Sequence, residues 1–193
     1  MVVHRDTGQI EHRKFSDVIA YLKPGDGLVL NRTRVMRARL LGRRKDTNGN
    51  VEAVLIREVT EGLWETLLRP SRRLAVGSVF VLEDGISEAL VSDGPDTYRR
   101  YLRFPNEPNV PDLLQRVGRL PLPPYVLRED DEKDVARYQT VYGDALGAIA
   151  APTAGLHFTE SLLQSVADKG VSVIPILLHV GPGTFQPVRV DQI

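Results

Sequence analysis

The stretch LGAIAAPTAGLHFTESLLQSVADKGVSVIPILLHV, Leu146 to Val180, decides how the rest of the chain is read. It opens on a short apolar run, passes through a turn rich in Pro, Gly and Thr, enters a helix and ends in a second apolar run. Thr159 is placed to cap that helix, Leu162, Leu163 and Val166 to form its buried face, and Gly170 to close it. Two near-continuous apolar strands on either side of a helix are what a parallel sheet covered on both faces requires. An α/β unit is therefore expected here.

Working outward, the preceding segment FPNEPNVPDLLQRVGRLPLPPYV holds six of the 13 prolines and marks a join between architectures. Within it, Pro111 is expected to start a short helix that Gly118 closes, and helical spacing resumes at Val135, Tyr138 and Tyr142. Upstream, from Arg39 to Phe104, short strands alternate with turns at Asn48-Gly49, Glu61-Gly62, Asp84-Gly85 and Asp93-Gly94-Pro95. That punctuation points to a small antiparallel barrel. At the N-terminus a hairpin about Thr7-Gly8-Gln9, a short helix capped by Ser16 and a buried strand GLVLN complete the reading. The expected fold is α/β with an inserted antiparallel β-barrel. Residues 1–38 and 105–193 form a discontinuous three-layer α/β domain sharing one sheet, and residues 39–104 form the barrel.

Composition bounds the chemistry. With 193 residues, 42% of them hydrophobic, the chain can bury a real core. It has no cysteine, so disulfides, thiolate metal sites and cysteine nucleophiles are excluded, and a reducing compartment is the natural home. The N-terminus lacks the apolar core of a signal peptide, and a cytoplasmic location is expected. The formal net charge of zero hides a division, with 15 Lys/Arg against 9 Asp/Glu in residues 1–80 and 10 against 16 in the remainder. RTRVMRARLLGRRK, Arg32 to Lys45, carries seven cations and no acid. Arg37, Arg39, Arg43 and Arg44, with Arg69, Arg72 and Arg73 of LLRPSRR, make a candidate phosphate-binding surface. The plain alternative is a solvated strand face balanced by the acidic half.

In an open α/β sheet, ligands bind beyond the carboxyl ends of the strands, so the turn APTAGLHFT is a candidate site by position. Gly155 admits close backbone approach, Thr153 offers a hydroxyl, and His157 titrates near neutrality. The competing reading is a tight turn shaped by Pro152 and Gly155, with His157 serving only packing. HVGPGTF ends the next strand with similar content, His179, Gly183 and Thr184, and parallel strands would bring both loops to one edge. Two histidines without a nearby carboxylate make a poor metal set. The chain lacks the nucleophile elbow, the phosphate loop, the dinucleotide fingerprint and the kinase signatures.

GRLPLPPYVLRED, RYQTVYGDALGAIAAPTAGLHFTESLL and LLHVGPGTFQPVRVDQI resemble consecutive blocks of the S-adenosylmethionine:tRNA ribosyltransferase-isomerase family of queuosine biosynthesis. TGQIEHRKFSDVIAYLKPGDGLVLNRTRV and LLRPSRRLAVGS resemble its earlier blocks. The resemblance implies a barrel inserted in an α/β domain, S-adenosylmethionine as ribosyl donor, no metal, and a monomer. It implies transfer and isomerisation of the ribosyl group onto 7-aminomethyl-7-deazaguanine at the tRNA wobble position, giving epoxyqueuosine and releasing adenine and methionine. Set against that reaction, His157 is the expected acid/base group, and Tyr138, Gln139, Thr140 and Tyr142 line an adenine or ribose pocket, with core packing the equal alternative for Tyr138 and Tyr142 at helical spacing. His179 is the second candidate catalytic residue, and with Gly183 and Thr184 it closes the opposite wall. Arg34 anchors a carboxylate or phosphate with Asn31 and Thr33 beside it. Three positions depart from the family pattern: Arg32, Arg37 and Pro182. Family members also begin earlier and run well past Gln192-Ile193, so an α/β domain incomplete at its C-terminus is expected. The alternatives are a truncated relative that binds RNA through its basic barrel without catalysis, and a small-molecule-binding α/β module.

Overall fold

A computed structural model describes residues 1–96, 99–123 and 125–185. It begins with a hairpin of β1 (Val2–Val3) and β2 (Ile10–Glu11), turned by Gly8 at φ +69°. The expected Ser16-capped helix is instead a 3-10 helix, Phe15–Tyr21. The Asp17 carboxylate accepts the Lys14 N–H, so the turn starts ahead of Ser16. No residue of this helix is buried, and nothing in it rewards a longer α-helical ladder before Pro24.

A closed six-stranded antiparallel barrel is present, as expected. β5 (Arg39–Arg44), β6 (Asn50–Thr60), β7 (Leu63–Arg69), β8 (Val79–Leu82), β9 (Glu88–Ser92) and β10 (Arg99–Arg103) close in the order β10-β7-β6-β5-β8-β9, all antiparallel. Period-two alternation sends Val51, Ala53 and Leu55 of β6 inward with Leu40, Phe80, Val91 and Leu102. Asn48 at φ +56°, where a short polar side chain is tolerated, makes the β5–β6 turn. Helix α1 (Val110–Val117), capped by Asn109 Oδ1 on the Asp112 N–H, adds Val110, Leu113 and Leu114 to the same core.

The remainder is built from β3 (Gly27–Asn31), β4 (Thr33–Val35), α2 (Glu132–Arg137), β11 (Ala145–Ala148), α3 (Glu160–Asp168) and β12 (Ser172–Ile176). Here the structure corrects the single covered sheet. β3 pairs in parallel with β12, and β4 in parallel with β11, as two separate two-stranded ladders. All five residues of β12 are exposed, and GLVLN is buried only at Leu30. Helix α3 begins at the expected Thr159 cap, whose Oγ1 accepts the Leu162 N–H, but buries only Val166; Leu162 and Leu163 are half-buried. One nine-residue helix is too little to cover both faces of the ladder. Helix α2 stops at Arg137, so Tyr142 lies beyond it and does not share a helical face with Tyr138. Among the described residues no helix is long and apolar enough to cross a membrane.

Candidate active-site cleft

Strand β4 positions the site. Its alternation buries Thr33 and Val35 and turns Arg34 outward. Against it, β11 brings Gly147, and the chain beyond β12 brings His179. A Cβ at Gly147 would fall 2.6 Å from both ring nitrogens of His179, so only glycine admits the imidazole there. Together with barrel strands β6 and β7 and with α1, these residues enclose a cleft of about 580 Å³. Arg34, Gln139, Gly147 and His179 form one wall, and Ile56, Glu58 and Trp64 the other, with Leu114 and Gln115 of α1 between them. That volume suits a ligand of nucleoside size in a largely apolar pocket with few convergent polar groups.

Each polar group on the β4 wall has a definable task. Arg34 donates one N–H to the Gly143 carbonyl at 3.1 Å, and its other donors have no protein partner among the described residues. Gln139 is already engaged: its Oε1 accepts the Val35 N–H and its Nε2 donates to the Val35 carbonyl, both at 2.9 Å. It extends the ladder as a further strand residue would, and so fixes the cleft edge. His179 Nδ1 lies 2.8 Å from Thr33 Oγ1.

Of the other residues singled out from sequence, Arg37 also lines the cleft, and the rest lie elsewhere. His157 ends a 3-10 turn, Thr153–His157, and stacks on Phe15 with centroids 5.1 Å apart and planes at 29°. It is exposed and does not line the cleft with His179. The two loops separate because the turn after β11 carries His157 toward Phe15, whereas the chain after β12 crosses to β11, where the Ile149 N–H donates to the Val180 carbonyl. The space that Gly155 leaves is filled by the Tyr142 hydroxyl and the Thr140 methyl, and Thr140 is buried. Tyr138 is buried below α2 and borders, with Thr153, a shallow cavity of about 330 Å³; burial pushes both the Tyr138 and Tyr142 phenols up. Gly183 and Thr184 are exposed in a 3-10 turn with Pro182, whose ring borders a separate cavity of about 300 Å³ beside Arg39 and Ile149.

The basic residues divide too. Arg43, Arg44, Lys45 and Arg69 line a broad concavity of about 1180 Å³ on the barrel. Arg44 is held by Asp46 and by the Arg73 carbonyl, and Lys45 by Glu88. Arg43 and Arg69 make no ion pair among the described residues. Arg39 pairs with Glu52 at 2.9 Å, and Arg37 donates to the Gly118 and Gln115 carbonyls, bracing the C-terminal end of α1. The Arg72 side chain lies outside the described residues. Among the described residues no cluster of three or more His, Cys, Asp or Glu is arranged to hold a metal ion.

Trp64, Glu58 and Gln115 were missed from sequence. Alternation in LWETLL distinguishes the two faces of β7, but it does not say which part of the barrel meets β4.

Comparison with known proteins agrees with the residue-level resemblance. The family model described as "Queuosine biosynthesis protein" matches residues 1–193. An S-adenosylmethionine:tRNA ribosyltransferase-isomerase of Symbiobacterium thermophilum is 48% identical over 191 residues, covering 99% of this chain and 55% of that protein. The corresponding proteins of a Sulfurihydrogenibium species and of Clostridioides difficile are 46% and 45% identical over 193 residues, all of this chain and 56% of theirs. A crystal structure of an S-adenosylmethionine tRNA ribosyltransferase from Thermotoga maritima is 30% identical, covering 93% of this chain and 49% of that one at a TM-score of 0.38. The chain thus spans about half the length of the relatives it matches. With a family model covering every residue and the family's blocks distributed along the whole sequence, the chain belongs to the queuosine biosynthesis protein family.

Proposed function

We propose that this chain contributes the ribosyl-donor site of an S-adenosylmethionine:tRNA ribosyltransferase-isomerase acting on 7-aminomethyl-7-deazaguanine at the tRNA wobble position. The observation that carries the proposal is the cleft, where His179 and Arg34 share one wall in a space of nucleoside size. A sulfonium acidifies the adjacent carbon, so removal of a C5′ proton starts adenine loss and opening of the sugar, and the RNA amine then attacks C1′. Such chemistry needs one group that moves protons near neutral pH and one that holds the carboxylate of the methionine portion. His179 takes the first role here in preference to His157, which stacks on Phe15 outside the cleft. Arg34, with donors to spare, takes the second. Residues 39–104 act as a barrel unit, and residues 1–38 with 105–193 as the unit carrying the acid–base group.

The proposed RNA surface is the concavity of Arg43, Arg44, Lys45 and Arg69, which neutralises backbone phosphates. This surface also supports the second reading, an RNA-binding chain without catalysis.

The test is equilibrium binding of S-adenosylmethionine to the chain, followed by adenine release with tRNA bearing the aminomethyl base. Binding weakened by Arg34→Ala, and release that needs both substrates and falls by about 10²-fold or more in His179→Asn, are expected. RNA binding with no affinity for S-adenosylmethionine would replace the enzyme reading by the second one.

A further inference from the structure

We infer that Asn31 and Thr33 form a clamp that positions His179, with the Thr33 hydroxyl holding the ring at Nδ1 so that Nε2 is left for the cleft. The inference rests on the reading of His179 as the acid–base group, and it assigns the strand motif Asn31-Arg32-Thr33 to that residue rather than to a ligand.

Three observations carry it. First, Asn31 grips the residue before the histidine by both backbone groups: its Oδ1 accepts the Leu178 N–H at 3.1 Å and its Nδ2 donates to the Leu178 carbonyl at 2.9 Å. The same Oδ1 accepts the Thr33 N–H at 3.2 Å, which locks the two clamp residues together. Second, Thr33 is 1% exposed, and its hydroxyl has His179 Nδ1 as its one side-chain partner among the described residues. Third, Gly147 leaves the slot into which the ring fits.

Packing does not do this work. Leu177 and Leu178 are 46% and 61% exposed, and His179 is exposed as a residue. Hydrogen bonds and one missing Cβ therefore set the ring's position.

The choice of a hydroxyl has a chemical consequence. A backbone carbonyl in its place accepts only from Nδ1–H, which restricts neutral imidazole to one tautomer. A hydroxyl donates or accepts. With Nδ1–H donating to the Thr33 oxygen, the contact persists both when Nε2 is free and when it carries a proton, so the ring need not reorient between the two steps; the hydroxyl, unlike a carbonyl, also tolerates the other tautomer. Arg34, the next residue on the strand, faces the cleft from the same backbone, so the clamp also sets the distance between the two proposed substrate-contacting groups.

The experiment is ¹⁵N NMR of histidine-labelled full chain, with His179 assigned by loss of its signals in His179→Asn, read beside adenine release. Thr33→Val is expected to move the His179 ring-nitrogen shifts and to lower kcat by about ten- to a hundredfold with little change in KM, and Thr33→Ser to restore both. Gly147→Ala, which leaves the hydroxyl intact, is expected to move the same shifts. Unchanged ring shifts in Thr33→Val and Gly147→Ala would overturn the clamp, as would Thr33→Ser behaving like Thr33→Val. Shifts that move as expected in a chain that neither binds S-adenosylmethionine nor releases adenine would uphold the clamp and sink the ribosyl-transfer reading.

Discussion

The barrel and the parallel ladders bury apolar surface in opposite ways. In the barrel every strand has two neighbours, and Leu40, Leu55, Phe80 and Leu102 are fully buried. Among the described residues each strand of the β3–β12 ladder has one partner, and Val29, Val173, Ile174 and Ile176 remain 38–54% exposed. Antiparallel hairpins find their partners within a few residues of sequence, so the segment from Arg39 to Arg103 closes on itself. Parallel strands need partners and covering helices from far along the chain, and α3 covers little here. The cleft lies where the self-sufficient part meets the open part, so its barrel wall is held by strand pairing on both sides while its β4 wall depends on side-chain clamps at Asn31, Thr33 and Gln139.

That contrast makes predictions of decreasing size. Phe80→Ala should destabilise the chain by about 3–5 kcal/mol in urea unfolding, and Ile174→Ala by less than about 1 kcal/mol. Equal losses would mean that the apolar face of β12 is covered in solution, and the contrast would fall. On the barrel's outer surface, Glu65 is buried between Arg57 at 2.8 Å and Arg99 at 2.6 Å. Glu65→Ala should cost about 1–3 kcal/mol, less than an ordinary severed buried pair, because both arginines are partly exposed and can turn to water. A loss below 0.5 kcal/mol, roughly the scale of an ordinary surface change, would show that the pair only decorates the barrel.

The smallest effect belongs to the cap of α2. The Arg128 side chain, and then the Asp131 N–H, hold the Asp134 carboxyl down at about 2. Its pKa is lowered on folding, so its contribution is present above the ordinary value of 3.8 and is lost as pH falls toward 2. Acid unfolding of Asp134→Asn should therefore differ from the parent at pH 6 and converge with it near pH 2. A difference that persists unchanged at pH 2 would place the effect outside this carboxylate.

Much of the fold was legible in sequence because its signals are local. Turn residues at Asn48, Gly62 and Gly85, alternation along NVEAVLIREV, the Thr159 cap and the Pro111 helix each describe a few neighbouring residues, and each is found. The site was legible only in part. Arg34, Arg37, Gln139 and His179, all named from sequence, line the candidate cleft, whereas His157, Thr153, Gly183 and Thr184 were grouped with them on the assumption that consecutive strand ends face one pocket. A two-residue difference in where a strand stops, or a 3-10 turn in place of a direct entry to a helix, is enough to send a loop to another face.

Sequence by itself determined the family and the presence of an antiparallel barrel, because those depend on residue identity, short-range periodicity and turn geometry. Tertiary structure alone decided that Gln139 and Asn31 spend their amides on backbone, that the room at Gly155 belongs to Tyr142, and that Thr33 meets His179 across 146 residues. Those contacts depend on which segments the closed barrel and the two ladders bring together, and no local pattern of side chains encodes that distance.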